Sequence, residues 1–339
     1  MLGGYGEASV LRDTFLDRDV VFKTIRRPHD SDQLLKEMRL IAVARSRHVV
    51  EIYDIVSDGT GLVTGIVLEF LPGAAYADVH NLSGDIYLRT LYQIASGLAD
   101  LHSLGIVHRD LKPENFRDSS SGVLKLFDFG LSNDDVDYRT ANNRGTMWYA
   151  PPELFRPGAQ IAAAIDLYAF GVCAWSLATK ALPPELTESP PQRTRQAPRL
   201  VERQPLVPGG VSDLVGRCTS PDPSERPTAA ECVSILRTCL VDGRQRAVFV
   251  DASRKVISEI AGSTPSAGVR AGTAGALRVA YDGGLAVIVS VEGSVYINNH
   301  KALPGLRLPA SCVVTFGDPE AGSARKFVTF VSSHPEVVV

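Results

Sequence analysis

The sequence predicts an α+β protein with two lobes, one β-rich and one helical, followed by an all-β sandwich. Short β-branched and aromatic runs dominate the first 72 residues and return after residue 245. Between residues 85 and 240, apolar side chains recur at helical spacing instead. We therefore place a first domain at 1–240, with lobes at about 1–72 and about 73–240, and the sandwich at 247–339.

The N-terminal lobe is predicted to contain short strands and one helix. Strands are predicted at Val20 to Ile25, Val49 to Val56 and Ile66 to Phe70, and Pro72-Gly73 ends the last of them. A helix is predicted between the first two strands, because its apolar residues recur at helical spacing after two residues that suit an N-cap. The apolar residues are Leu34, Leu35, Met38, Ile41 and Ala42, and the N-cap candidates are Ser31 and Asp32.

The second lobe is predicted to be mostly helical. One apolar face runs from Leu88 to Leu101, and Gly105 suits the end of that helix. A short strand is predicted at Val123 to Phe127, and a further helix at Leu167 to Leu177. Residues 183–210 hold many Pro, Arg and Gln and are interpreted as an exposed connection. Thr228 to Glu231 has the pattern of a capping box, which starts a helix that ends near Leu240.

After residue 245 the chain consists of short β-rich runs separated by Gly, Pro and Ser, which is typical of a β-sandwich. The runs are Ala247–Asp251, Val256–Ile260, Leu285–Val291, Val295–Asn298, Val313–Gly317 and Lys326–Val331.

Composition excludes some classes of function. Of the 339 residues 22% are charged and the net charge is -3, so neither a nucleic-acid partner nor a polybasic membrane contact is expected. The longest apolar run, Ala162 to Ala178, contains Asp166 and favours a buried helix over a membrane span. Five cysteines without a CxxC pair, and a start without a secretory pattern, predict a reducing, cytoplasmic location. The oligomeric state is not predicted.

The run from His108 to Asn115 reads HRDLKPEN and brings the chemistry of phosphoryl transfer into one loop. That reaction needs a base for the acceptor hydroxyl, a positive charge near the transferred phosphate and a metal ligand. Asp110, Lys112 and Asn115 respectively suit these three roles. The run resembles the catalytic loop of the eukaryotic-type (Hanks-type) serine/threonine protein kinase family, HRDxKxxN. The resemblance implies a bilobal protein-kinase fold, ATP and Mg²⁺ as cofactors and a protein substrate.

Three further residues gain roles from this resemblance. Asp128, in Asp128-Phe129-Gly130, resembles the carboxylate that holds Mg²⁺ against the β- and γ-phosphates, with Asn115 as the second metal ligand. Lys23 ends a run similar to the family's VAIK strand and is expected to hold the α- and β-phosphates. Glu37, on the predicted helix, is its expected partner.

The glycine-rich start of the chain resembles the loop that covers the phosphates in this family. In one registration Gly3 and Gly6 take the second and third glycine positions, and in another Gly4 and Gly6 are used with Ser9. Backbone N–H groups of such a loop can approach phosphate closely. The residues predicted to bind ATP are Gly3, Gly4, Gly6, Ala8, Val21, Lys23, Glu69, Asn115 and Asp128, with Ala8 and Val21 beside the adenine.

The segment from Gly145 to Glu153 resembles GTxxYxAPE, the end of the family's activation loop. By the same resemblance, Arg226 pairs with Glu153 and Asp166 braces the backbone of the catalytic loop. Lys112 together with Gly145-Thr146 favours Ser or Thr over Tyr as acceptor. Because Arg109 precedes Asp110, a phosphate on the activation loop is also expected. Its candidate site is Thr140, ahead of Ser132 and Tyr138.

The C-terminal domain resembles the last strands of forkhead-associated (FHA) domains over residues 293–298 and 308–317. It departs from that pattern because Glu292 and Asn299 replace Asn and Gly, and Ser311-Cys312 replaces Gly-Asp. The Ser-x-x-His pair of those domains is not found. A β-sandwich that binds a protein partner or regulates the first domain is therefore favoured over a reader of phosphothreonine.

Three functions remain in competition at this point. The predicted function is transfer of the γ-phosphoryl group of ATP to Ser or Thr of a protein. A pseudokinase scaffold is the alternative, favoured by the incomplete glycine loop and opposed by Lys23, Asp110, Asn115 and Asp128. A small-molecule phosphotransferase of related fold is the third, and the segment from Gly145 to Glu153 speaks against it.

Overall fold

The computed structural model describes residues 8–24, 35, 38–39, 41–42, 45–128, 146–156, 158, 162–241, 246–260, 266–282 and 285–333. The chain forms two compact units that divide between Leu236 and Arg237. Among the described residues, no helix combines the length and the apolar character that a membrane crossing requires. All five cysteines are free thiols.

The first lobe is built on a four-stranded antiparallel sheet. Its strands are β1 (Ala8–Asp13), β2 (Arg18–Thr24), β3 (Ile52–Ser57) and β4 (Val63–Glu69), in the order β1-β2-β4-β3. The described residues of the predicted helix at 34–42 are helical, and Met38 and Ile41 are buried against this sheet with Ile66. The predicted N-cap residues Ser31 and Asp32 lie outside the described residues.

The second lobe is mainly helical, as its periodicity predicts. The helices are α1 (Gly84–Ser103), α2 (Ala163–Ala178), α3 (Pro184–Thr187), α4 (Leu200–Arg203), α5 (Gly209–Cys218) and α6 (Ala229–Val241). A small hairpin of β5 (Phe116–Asp118) and β6 (Leu124–Leu126) follows α1. Short 3-10 turns cover Tyr76–Asp78, Pro113–Asn115, Thr146–Tyr149, Pro152–Phe155, Pro223–Glu225 and, in the second unit, Pro319–Ala324.

The interior of this lobe forms around α1 and α2. Helix α1 buries one face that includes Leu91, Ile94 and Leu98, whereas α2 is buried nearly all round because most of its residues are apolar. The capping box of α6 is confirmed, since Thr228 N donates to Glu231 at 2.7 Å and Glu231 N donates to the Thr228 hydroxyl at 3.2 Å.

The interpretation of residues 183–210 as an exposed connection is wrong in part. The segment contains α3 and α4, and it buries Glu185, Leu186 and Leu200. Val207 is buried as well. These three apolar side chains, and Glu185, which accepts a hydrogen bond from Arg195, fix a Pro-rich segment whose composition is typical of a surface loop.

Glycine 97 permits a close approach between α1 and the core of the hairpin. A Cβ at Gly97 would lie 2.8 Å from the backbone oxygen of His48 and 2.8 Å from Leu126 Cδ1. The same region ties the lobes together, because Leu126 N donates to His48 O and Val50 N donates to Leu126 O, both at 2.9 Å. The strand that precedes Asp128 is thereby fixed to the first lobe.

The second unit is a β-sandwich. Its strands are β7 (Arg246–Val250), β8 (Val256–Ile260), β9 (Ser266–Arg270), β10 (Gly275–Asp282), β11 (Leu285–Gly293), β12 (Val295–Ile297), β13 (His300–Lys301), β14 (Ser311–Phe316) and β15 (Lys326–Ser333). They form a six-stranded sheet, β13-β12-β14-β15-β7-β8, and a three-stranded sheet, β11-β10-β9.

Both sheets contribute to one apolar core. Phe249, Val314 and Phe330 come from the six-stranded sheet, and Leu277 and Ile288 from the three-stranded sheet. This arrangement confirms an all-β domain after the two lobes. The FHA resemblance stays a prediction. Asn298 and Asn299 both have positive φ and form the tight turn between β12 and β13.

Candidate active site

A cavity of about 320 Å³ lies between the sheet of the first lobe and the hairpin of the second. Its lining residues are Ala8, Ser9, Val10, Val21, Lys23, Val50, Leu68, Glu69, Phe70, Leu71, Arg117, Phe127 and Asp128. The predicted residues Ala8, Val21, Lys23, Glu69 and Asp128 are thus brought together in one pocket. An apolar cavity with a few charged groups at its edge is the usual form of a small-molecule site.

Lys23 and Asp128 form an ion pair in this cavity, although they are far apart in the sequence. Lys23 lies on β2 opposite Ala8 of β1, so the strand register places the ammonium group beside the start of the sheet. Asp128 has a φ of 60°, a conformation that is unfavourable for a residue with a Cβ. Strain of this kind persists where the surrounding structure fixes the backbone, and it clusters at functional sites.

The loop from His108 to Asn115 brings three side chains together. Lys112 Nζ donates to both carboxylate oxygens of Asp110, at 2.9 and 2.7 Å. The 3-10 turn Pro113–Asn115 folds Asn115 back, so that its side-chain nitrogen donates to Asp110 O at 2.7 Å and to Asp110 Oδ2 at 3.1 Å. The three residues predicted as base, phosphate contact and metal ligand therefore form one hydrogen-bonded cluster.

Asn115 is also connected to the segment before Asp128. Phe127 N donates to Asn115 O at 3.1 Å. Because its side-chain nitrogen is directed at Asp110, the amide oxygen of Asn115 is the atom left for a metal ion, together with the carboxylate of Asp128. Two protein oxygens supplemented by phosphate oxygens fit a hard divalent cation. Within the described residues, no group of three or more His, Cys, Asp or Glu forms a separate metal site.

Asp166 of α2 holds the backbone of the catalytic loop, as the resemblance predicts. Its carboxylate accepts hydrogen bonds from His108 N at 2.7 Å and Arg109 N at 2.9 Å, and it lies 2.9 Å from His102 Nε2. Arg109 has a φ of 68°, which these contacts stabilise. Burial lowers the pKa of His108, and the nearby Asp166 carboxylate opposes that shift.

Glu153 and Arg226 form the predicted pair, and both side chains are largely buried. Arg226 Nη1 and Nη2 donate to the two carboxylate oxygens of Glu153 at 2.6 and 2.8 Å. The Arg226 side chain is fully buried and also donates to Ser220 O and Ala164 O. A bidentate pair of this kind fixes the segment that ends the activation loop against the helices.

Glu69 lines the cavity, but its carboxylate is engaged within the protein. Lys125 Nζ donates to Glu69 Oε2 at 2.6 Å and lies 3.8 Å from Glu51 Oε1. Glu51 N also donates to Glu69 Oε2, at 3.2 Å. The prediction from sequence missed Lys125, although a lysine within an apolar strand run is a signal of a buried charge that needs a partner.

Arg117 is the second residue that was missed. It lies on β5, only two positions after Asn115, and its side chain lines the cavity. Several predicted residues lie outside the described part of the chain, namely Gly3, Gly4, Gly6, Glu37, Phe129, Gly130, Ser132, Tyr138 and Thr140. Their predicted roles stay predictions.

Two lobes around a cavity with a lysine–aspartate pair, next to an Asp-Lys-Asn cluster, define an enzyme of the phosphoryl-transfer class. Comparison with known proteins gives the family. The model of the protein kinase domain matches residues 2–235, and the chain belongs to this family. A protein kinase domain uses ATP with a divalent metal ion and acts on protein substrates.

Similar proteins occur in bacteria and animals. The serine/threonine-protein kinase pkn3 of Myxococcus xanthus is 32% identical over 263 residues, which cover 68% of this chain and 46% of the relative. The serine/threonine-protein kinases drp72 of Corynebacterium efficiens are 31% identical over 251 residues, which cover 66% of this chain and 46% of the relative. Mitogen-activated protein kinase kinase kinase 7 of Homo sapiens is 30% identical over 235 residues, which cover 65% of this chain and 38% of the relative. The chain thus spans less than half the length of these relatives.

Proposed function

We propose that this chain is an active serine/threonine protein kinase that transfers the γ-phosphoryl group of Mg²⁺-bound ATP to Ser or Thr hydroxyl groups of proteins. The observation that carries the proposal is the hydrogen-bonded cluster of Asp110, Lys112 and Asn115 beside the Lys23–Asp128 pair. Lys112 and Gly145-Thr146 support a Ser/Thr acceptor. The printed names of the Myxococcus and Corynebacterium relatives support it as well.

The cluster suits in-line transfer. Asp110 accepts the proton of the substrate hydroxyl while the hydroxyl oxygen bonds to the γ-phosphorus and the bond to the departing ADP oxygen breaks. Lys112 donates to Asp110, and its side chain is long enough to turn toward the transferred phosphoryl group. Lys23 would contact the α- and β-phosphates, with Glu37 as its expected partner.

Asn115 and Asp128 are the residues that would hold Mg²⁺. When bound, the ion neutralises charge on the phosphate oxygens. The protein's own contribution is positioning. Asp166 fixes the loop backbone that carries Asp110, and the Phe127–Asn115 hydrogen bond sets the spacing of the two metal ligands.

A transfer assay tests the proposal. The purified chain is incubated with Mg²⁺, γ-labelled ATP and a basic protein, beside Asp110→Asn and a control, Asp213→Asn, whose carboxylate is 61% exposed. Wild type and Asp213→Asn are expected to label Ser or Thr, while Asp110→Asn loses on the order of 10²–10⁴ in rate because the proton acceptor is removed. Mapping of the labelled sites tests Thr140.

Two results would contradict the proposal. If wild type binds ATP and labels no protein, the chain is a scaffold that binds nucleotide without transfer. Labelling of Tyr instead of Ser or Thr would contradict the acceptor class.

We further propose that the C-terminal β-domain serves regulation or the recruitment of a partner or substrate. Two observations support a role separate from catalysis. The domain has an apolar core of its own, and every described residue that lines the cavity lies between Ala8 and Asp128. To test this role, labelling of a protein substrate is compared with the β-domain folded and with it selectively unfolded.

A further inference from the structure

Arg117 places a cation in the nucleotide cavity. The residue lies in the middle of β5, directly opposite Lys125 of β6. Side chains directly opposite in an antiparallel pair lie on the same face, so two positive charges are neighbours there. Like charges in this position repel, and each therefore needs a compensating group.

The two cations are compensated very differently. Lys125 is paired with Glu69 at 2.6 Å and lies near Glu51. Within the described part of the chain, Arg117 forms no ion pair with a carboxylate. Its polar contact there is from Nη1 to the backbone oxygen of Gly73 at 3.2 Å, and its guanidinium carbon lies 5.7 Å from the centre of the Phe127 ring. A half-buried guanidinium whose hydrogen bonding within the described residues uses one of its five N–H donors therefore lines the cavity.

The position of Arg117 in the cavity indicates which part of a bound nucleotide its side chain would contact. Lys23 and Asp128 supply the charged groups suited to phosphates and metal, and they pair with each other. Arg117 is anchored instead at Gly73, beside the lining segment from Leu68 to Leu71. Ala8 and Val21 line the cavity from the sheet of the first lobe, whereas Arg117 lines it from the second lobe. A flat base between the two lobes has apolar side chains on one face and Arg117 on the other.

We propose that Arg117 binds the base in the nucleotide site by stacking its planar guanidinium on the purine ring of ATP. This inference rests on the proposed function, because it requires ATP in the cavity. A guanidinium is planar and weakly hydrated, and it stacks on aromatic faces in a way that a lysine ammonium does not reproduce. Such a contact strengthens binding by about two- to thirty-fold, depending on how far it is desolvated.

The test separates the base from the phosphates. Equilibrium binding of ATP, adenosine and inorganic tripolyphosphate is measured for wild type, Arg117→Ala, Arg117→Lys and a control, Arg203→Ala, whose side chain is exposed on α4. Arg117→Ala is expected to weaken ATP and adenosine by the same factor, about five-fold, and to leave tripolyphosphate unchanged. Arg117→Lys does not restore the wild-type affinity for adenosine. Arg203→Ala matches wild type.

Kinetics supply a second readout. KM for ATP rises in Arg117→Ala with little change in kcat, because a contact with the base is made equally before and during transfer. If Arg117→Ala is less stable on heating, KM for ATP is compared between wild type and Arg117→Lys, which keeps the aliphatic stem and the charge.

Three results would overturn the inference. If Arg117→Lys binds adenosine like wild type, charge matters and stacking does not. If tripolyphosphate binding falls in Arg117→Ala, the residue acts on phosphate. If all variants bind ATP alike while Lys23→Met loses it, Arg117 has no part in recognition and the proposed function still stands. Failure of wild type itself to bind ATP would reject both.

Discussion

The interior of the kinase domain contains charged side chains, whereas the described residues of the C-terminal domain bury none. Among the described residues, the four buried charged ones are Lys125, Asp166, Glu185 and Arg226, all in the first unit. Within the described part of the second unit, the buried polar residues are Thr315 and Ser332. Burying a charge is costly unless it is paired, so a fold retains such groups where they position something else.

Three of these four buried charges hold segments of the candidate site or its border, whereas Glu185 pairs with Arg195 in the Pro-rich segment. Asp166 holds the catalytic-loop backbone, Lys125 engages Glu69 at the cavity, and Arg226 holds Glu153. In the C-terminal domain, aromatic and aliphatic side chains such as Phe249 and Phe330, whose ring centres are 5.1 Å apart, fill the core without polar partners. The first interior is organised for chemistry and the second for packing.

The strongest test of this difference breaks the most buried charge pair. Arg226→Met leaves Glu153 without its partner and is expected to destabilise the kinase domain by about 3–5 kcal/mol. Trp148 and Trp175, the two tryptophans of the chain, both lie in that domain. Tryptophan fluorescence during urea unfolding therefore reports the kinase domain alone.

The matched control is an exposed pair in the other domain. Arg270 lies beside Glu292, with side chains that are 62% and 63% exposed. Arg270→Ala is expected to cost the C-terminal domain about 0–1 kcal/mol. Circular dichroism during urea unfolding measures this effect, because that domain has no tryptophan. If the two substitutions lower the free energy of unfolding equally, the buried pair contributes no more to stability than the exposed one.

The next test acts on the apolar core of the C-terminal domain. Leu277, which is 1% exposed, lies at the centre of that core. Leu277→Ala is expected to lower the stability of this domain by about 2–5 kcal/mol, because it removes apolar contacts and leaves a cavity. Circular dichroism should show earlier loss of the β-domain, while tryptophan fluorescence and ATP binding are unchanged.

This variant also tests the proposed role of the C-terminal domain. Labelling of a protein substrate is measured at a urea concentration that unfolds the β-domain of Leu277→Ala alone. Val289→Ala, on the neighbouring strand and 52% exposed, is the control. Altered labelling in Leu277→Ala supports regulation or recruitment, and unchanged labelling contradicts it.

The smallest expected effect is a dependence of the stability of the kinase domain on pH. Burial lowers the pKa of His48, and the hydrogen bond to Leu124 O at 3.2 Å only partly opposes this. The unfolded chain therefore binds the proton more readily than the folded one. The stabilisation is complete above the unfolded pKa of about 6.5 and is lost as the pH falls through the folded value.

Urea titrations monitored by tryptophan fluorescence at a series of pH values from 7.5 downward check this expectation. His48→Gln, which has no titrating ring, should flatten the decline of the kinase domain. An identical decline in the variant would assign the acid sensitivity to other groups, of which buried His108 is the next candidate.

Much of the fold was predicted from periodicity alone. Helix α1 lies where the spacing of apolar residues places it, because an amphipathic pattern suits only one backbone geometry. Strand β8 coincides with a run that was predicted from its β-rich composition. Strands β9 (Ser266–Arg270) and β10 (Gly275–Asp282) were missed. They contain Gly and Ala, whose intrinsic strand preference is weak, and they are strands because β10 pairs with neighbours on both sides.

Within the site, the sequence by itself determined the loop from His108 to Asn115, because its reactive residues are contiguous and a short 3-10 turn suffices to gather them. It also identified Lys23 and Asp128 through their resemblance to family motifs. Only the tertiary structure decided that Lys125 neutralises Glu69 and that Arg117 lines the cavity without a carboxylate partner among the described residues. The physical reason is that burial and the pairing of charges depend on strands and lobes distant in sequence, and no local pattern records which side chains then meet.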